Sequence, residues 1–110
     1  MQRLNTDTLQ TFIARRGTVA ILFGAPDGEA TMNQAIVFAE AWIENRGDAR
    51  FGYVDAFENV AAARAYAVRV LPTTMITHDG EIIAWIEGRH SAHAITAAIA
   101  NAARVRAMAA

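Results

Sequence analysis

The stretch Val68-Arg69-Val70-Leu71-Pro72-Thr73-Thr74-Met75-Ile76-Thr77-His78-Asp79-Gly80-Glu81-Ile82-Ile83-Ala84-Trp85-Ile86 decides how the chain folds. Pro72 blocks a helix, because it has no backbone N–H and restricts the residue before it to extended conformations. Two runs rich in β-branched and aromatic residues follow, 73–77 and 81–86, separated by His78-Asp79-Gly80. Asp-Gly supplies the left-handed positions that a tight hairpin turn needs, so the segment predicts an antiparallel strand pair. The second run reads as apolar on both faces, with Ile83 and Trp85 alternating with Ile82, Ala84 and Ile86, which places Trp85 in the core.

Working back from the hairpin, Val60 to Tyr66 is alanine-rich and reads as a short helix, and Arg50-Phe51-Gly52-Tyr53-Val54-Asp55 as a strand. A long helix is expected from about Glu29 to Asn45, with Met32, Ala35, Ile36, Ala39, Trp42 and Ile43 on its inward stripe and Val37 and Phe38 widening it. Asp27 is the expected cap of that helix. Upstream, Thr18-Val19-Ala20-Ile21-Leu22-Phe23 is a continuous apolar run between Gly17 and Gly24, the pattern of a strand buried on both faces. Thr6 or Asp7 is expected to cap a first helix carrying Leu9, Phe12 and Ile13 inward, with a further short strand near Leu4. Beyond the hairpin, Ser91 can cap a helix that turns Ile95, Ala98, Ile99, Ala102 and Val105 inward and holds Arg104 and Arg106 near its negative end.

A strand-helix-strand unit implies a parallel pair joined by a right-handed crossover, and the hairpin adds antiparallel strands. The expected fold is therefore an α/β sandwich, a mixed sheet covered by helices on both faces. At 110 residues and 54% apolar content, one domain spanning 1–110 is expected.

Composition narrows the chemistry. Ten arginines and no lysine balance eleven acids for a net charge of -1, and the basic residues are scattered, so neither nucleic acid nor an anionic membrane is the expected partner. There is no cysteine, which removes disulfides, thiolate metal sites and thiol mechanisms from this chain acting alone. Met1 to Thr8 is polar and shows no secretory pattern, and a cytoplasmic location is expected.

The order of elements, the Val68-to-Thr73 approach to a hairpin holding Asp79-Gly80, and Gly88 before the last helix together resemble the thioredoxin family across nearly the whole chain. The resemblance implies a thioredoxin-like three-layer α/β/α sandwich with a mixed four- to five-stranded sheet and a cis Leu71-Pro72 peptide bond. It includes Tyr53-Val54-Asp55, similar to a family strand that ends in aspartate. The chemistry departs from the family. Asp27-Gly28-Glu29-Ala30 stands where a redox thioredoxin carries Cys-Gly-Pro-Cys, Ile21 where the family has a buried aspartate, and Phe51 roughly where that aspartate's lysine partner falls.

Without an attacking thiolate no thiol-disulfide exchange is available. What the resemblance leaves is a groove that holds an extended peptide by backbone pairing. It implies a redox-inactive accessory or chaperone-type module that binds a protein or peptide segment, with Ala25, Pro26, Asp27, Gly28, Val70, Leu71, Pro72, Thr73, Gly88, Arg89 and His90 around the groove. Gly88-Arg89-His90 is similar to a Gly-x-His segment of the hydrogenase-maturation proteins of the HyaE/HupG type, a specific possibility within that class. The alternatives are a self-associating structural domain, a homodimer closed by the apolar face of the long helix, and a non-thiol enzyme on the same fold.

No cofactor or metal is expected. Asp27 and Glu29 read as helix-entry acids rather than an acid-base pair, since acids there favour the helix dipole and no partner base is near in sequence. His78, His90 and His93 lack a fourth ligand at suitable spacing and read as solvent-exposed, with His90 a candidate partner contact. The glycines form no phosphate-binding fingerprint. Trp42 stands evenly between core and interface.

Overall fold

The structure, a computed structural model, describes residues 1–109. The side chain of Arg106, expected at the negative end of the last helix, lies outside the described residues. The chain runs β1 (Gln2–Leu4), α1 (Thr6–Ala14), β2 (Thr18–Gly24), α2 (Glu29–Glu44), β3 (Ala49–Asp55), α3 (Val60–Ala65), β4 (Thr73–His78), β5 (Glu81–Glu87) and α4 (Ala92–Ala109). The five strands form one sheet in the order β1-β3-β2-β4-β5. β1, β3 and β2 are parallel to one another, while β4 pairs antiparallel with both β2 and β5.

The expected sandwich is the observed one. Every residue of β2 is buried, as its unbroken apolar run requires of a central strand. Its alternation divides the core into two layers. Val19, Ile21 and Phe23 pack with Leu9, Phe12 and Ile13 of α1 on one face. Ala20 and Leu22 pack with Phe38 and Ala41 of α2 and Ile95, Ile99 and Ala102 of α4 on the other.

Several local readings are corrected. Asn5, not Thr6 or Asp7, caps α1: its side-chain oxygen accepts from the N–H groups of Asp7 and Thr8 at 2.9 Å, and the Thr8 hydroxyl accepts from the Asn5 N–H at 2.9 Å. That reciprocal pair satisfies helix-end donors that otherwise have no partner. Gly28, not Asp27, is the N-cap of α2, and no side chain caps it. Ser91 does cap α4, accepting from the Ala94 N–H at 3.2 Å, but Val105, expected inward, is exposed one turn beyond the buried Ala102.

In the hairpin, Asp79 and Gly80 both take positive φ, 50° and 87°, as the tight turn demands. β5 carries one extra residue, since Ile76 pairs with Ala84 and Thr77 with Ile82. This bulge breaks the expected alternation: Ile83 joins the α2/α4 layer and Trp85 the α1 layer, half-buried on an edge strand.

The largest correction concerns α2. Its inward residues are Thr31, Gln34, Phe38 and Ala41, with the cap residue Asn45 continuing the same face. Met32, Ile36 and Ile43, expected inward, are 60%, 63% and 60% exposed. The helix is turned by about a third of a revolution from the orientation that hydrophobicity alone favours, so that Ala35 and Trp42 of the expected stripe still touch the core while Met32, Ile36 and Ile43 do not. Three polar side chains hold it there. Thr31 Oγ1 accepts from the Ala25 N–H at 3.0 Å, Gln34 is bonded to His90, and Asn45 Nδ2 donates to Thr96 Oγ1 at 3.0 Å.

Candidate functional site

Strand register brings the expected groove segments to one end of the sheet. Gly24 at the end of β2 pairs with Asp55 at the end of β3, Phe23 pairs with Thr73 at the start of β4, and Thr73 pairs with Glu87 at the end of β5. Ala25–Gly28, Val70–Pro72 and Gly88–His90 therefore all leave the sheet at the same edge. The Leu71-Pro72 peptide bond is cis, and the Gly88 N–H donates to the Pro72 carbonyl at 2.8 Å, tying the third segment to the second.

The side chains are unequally available. Pro26, Asp27, Val70 and Arg89 are exposed, and Ala25, Gly28, Leu71, Gly88 and His90 are partly so. Pro72 and Thr73 are buried and the Thr73 hydroxyl donates to the Val70 carbonyl, so these two residues offer no side chain to a ligand. Among the described residues, neither the N–H nor the C=O of Leu71 has a hydrogen-bond partner, although its neighbours Val70 and Pro72 both use their carbonyls.

The turn into α2 is built on close backbone approach. A Cβ on Gly24 would lie 2.3 Å from Thr31 Cγ2 and 3.0 Å from the Tyr53 ring, so only glycine fits. The Gly28 N–H closes the turn on the Ala25 carbonyl at 3.1 Å. Asp27 and Ala30, which the resemblance puts where the family carries its two sulfurs, stand on either side of the cap residue Gly28 and the first helical residue Glu29.

Behind the turn, Ile21 is fully buried and pairs with Gly52; Phe51 pairs with Ala20 and faces the other layer, where its ring lies 5.0 Å from that of Phe38. The two positions read from the resemblance as those of an ion pair are apolar and on opposite faces of the sheet, so the reading is corrected: side chains at Ile21 and Phe51 could not meet, and the two are not counterparts of a bonded pair. Asp55 is a buried carboxylate that accepts from the N–H groups of Phe57 and Glu58 and lies 3.6 Å from Arg3, a role in the β3–α3 turn. Burial first, then the Asp55 charge, raises the Tyr53 pKa above its usual value.

His90 is not the solvent-exposed residue the sequence reading expects. The Gln34 side-chain oxygen accepts from the His90 backbone N–H at 2.9 Å, Gln34 Nε2 lies 3.1 Å from His90 Nε2, and His90 Nδ1 lies 3.0 Å from the Gly88 carbonyl. A carbonyl can only accept, so Nδ1 carries the proton and Nε2 accepts from the Gln34 amide. Burial lowers the His90 pKa, outweighing the opposing effect of the Gly88 carbonyl. Beside this pair is an open cavity of about 530 Å³ lined by Asn33, Gln34, Val37, Arg89 and His90. Gln34 was legible only as a polar interruption of an apolar helix. His78, by contrast, is at the far end of β4, bonded to Thr18, and among the described residues no cluster of three or more metal-type ligands forms.

A central parallel-antiparallel sheet between two helical layers, a cis-proline loop facing a helix entry, and no cysteine at that entry define a thioredoxin fold without its dithiol. The chain belongs to the thioredoxin family: the family model described as Thioredoxin matches residues 1–101. Solved structures agree in fold. Chloroplastic thioredoxin z superposes with TM-score 0.86 at 19% identity, covering 94% of this chain and 95% of that one. Fasciola hepatica thioredoxin gives 0.83 at 23%, covering 93% and 99%. A chain from a structure on thiol resolution of yeast mitochondrial 1-Cys peroxiredoxin by glutathione/thioredoxin systems gives 0.83 at 22%, covering 92% and 94%. No curated protein matches the chain.

Proposed function

We propose that this protein is a redox-inactive thioredoxin-family module of a single domain that holds an extended segment of another protein at the cis-proline end of its sheet. The observation that carries this reading is the unused backbone N–H and C=O of Leu71, beside Pro72 and at the edge where three loops converge. A partly exposed residue with neither its N–H nor its C=O bonded is a site for strand-like pairing, which needs backbone geometry and no reactive side chain. The absence of cysteine supports binding without exchange. An accessory role in hydrogenase maturation, in the cytoplasm, is the specific form we favour, on the strength of Gly88-Arg89-His90.

A photo-crosslinking side chain placed in turn at Val70, at Arg89 and at the remote, exposed position Gln10 tests this in lysate of the native cell. A single protein segment captured from Val70 and Arg89 but not from Gln10 is the expected result. Equal capture from all three positions, or none, overturns the reading.

A further inference from the structure

Met32, Ile36, Ala39 and Ile43 are separated by four, three and four residues, so at 100° per residue they form one stripe along α2. It lies almost opposite the inward residues Thr31, Gln34, Phe38 and Ala41, and it extends roughly 16 Å at 1.5 Å per residue. Rolling the helix to bury this stripe would break the hydrogen bonds of Thr31, Gln34 and Asn45 together. The apolar face is therefore held outward by the fold itself. At its N-terminal end it meets a cavity of about 350 Å³ lined by Leu22, Pro26, Met32, Ala35, Tyr53 and Arg3 among others, room for a large apolar side chain; the Arg3 charge is matched by Glu58 at 3.2 Å and Asp55 at 3.6 Å.

Charge narrows what covers this face. The charged residues of α2 are Glu29, Glu40 and Glu44, and the helix has no basic residue. Glu29 and Glu40 flank the stripe on one side, and neither makes an ion pair among the described residues; Glu44 accepts from Thr96. Arg46, beyond the helix on the other flank, is stacked over Trp42 at 4.8 Å.

A second copy fits poorly. Two-fold antiparallel pairing of α2 sets the same flank of each helix side by side, placing Glu40 of one copy between Glu29 and Glu40 of the other. Parallel pairing aligns the two helix dipoles in the same sense. An anionic membrane is repelled by the same acids.

We propose that the outward face of α2 docks an amphipathic helix of another protein, apolar along one stripe and flanked by lysine or arginine, with one large apolar side chain in the Tyr53 cavity. The surface meets the groove residues only at Pro26, and the proposal does not depend on the function proposed there. Helix-in-groove recognition of this kind reads apolar anchors at helical spacing and uses flanking charge for selectivity.

Two synthetic helical peptides test it, sharing one four-turn leucine stripe but flanked by lysine in one and by glutamate in the other, each titrated into isotope-labelled protein and followed by amide chemical shifts. The lysine peptide is expected to move the signals of Met32, Ile36, Ala39 and Ile43 and to bind at least about tenfold more tightly than its twin. Glu29→Lys with Glu40→Lys is expected to invert the preference, and Ile36→Asp to abolish binding while circular dichroism shows the fold unchanged. Equal affinity for the two peptides, shifts confined to the Leu71 edge, or dimerisation through α2 in sedimentation would each overturn the proposal. Failure here leaves the extended-segment reading standing, and failure of crosslinking at Val70 leaves this one standing.

Discussion

Gln34 and His90 satisfy each other through both ends of the glutamine amide: its oxygen takes the His90 backbone N–H and its nitrogen serves the unprotonated ring nitrogen. The pair joins α2 to the segment between β5 and α4. A proton on Nε2 would face the amide N–H, and rotating the amide to accept it would turn a donor against the backbone N–H.

This arrangement predicts acid sensitivity. The folded-state pKa of His90 is depressed, while an unfolded histidine titrates near about 6.5. The unfolded chain therefore binds more protons just below that pH, so this contribution to stability is fully present above about pH 6.5 and is lost as pH falls through the folded-state value. Urea midpoints should drop between about pH 7.5 and 5.5 in the native protein, and the drop should be smaller in His90→Asn. Gln34→Ala should cost about 1–3 kcal/mol at neutral pH, because it leaves His90 donors and acceptors unpaired.

The orientation of α2 is open to a paired test. Phe38 is fully buried against Phe51, so Phe38→Ala should cost about 3–5 kcal/mol. Ile36→Ala, on the opposite face, should change stability by no more than about 0.5 kcal/mol. Chemical unfolding of the two variants side by side checks it; a large loss at Ile36 would mean the helix sits in the other orientation.

Gly24→Ala should destabilise by about 1–3 kcal/mol through overpacking against Thr31 and Tyr53. Thr31→Ser removes the offending methyl and keeps the hydroxyl for the Ala25 N–H, so the double variant should recover part of the loss in thermal melts.

For α1, Asn5→Ala should cost about 1 kcal/mol, whereas Asp7→Ala should cost only a few tenths. Equal effects in equilibrium unfolding would show that the cap had been misplaced.

The elements themselves were legible because their signals are local. The apolar run 18–23, the Asp79-Gly80 turn and the Ser91 cap each act within a few residues, and each was found where expected. The face of α2 was not legible, because it is decided by partners 51 to 56 residues away and at the preceding turn rather than by the spacing of its own apolar residues. The Ile83 bulge escaped for a similar reason, being a property of pairing with β4 and not of β5 alone. Of the candidate groove, the convergence of its three segments followed from the order of strands. Which of its atoms are unused depended on hydrogen bonds, at Thr73, Gly88 and His90, that no composition or periodicity encodes.

The position of β2, parallel to β3 on one side and antiparallel to β4 on the other, also bears on the order in which the chain can assemble. The β4–β5 hairpin closes through a two-residue turn and needs nothing else nearby, whereas β1 and β3 reach their places only after long stretches of chain are brought round. β2 is the strand for which both halves must wait. Pulsed hydrogen exchange during refolding should protect amides of β4 and β5 before those of β1, and the reverse order would mean that collapse around the parallel half leads.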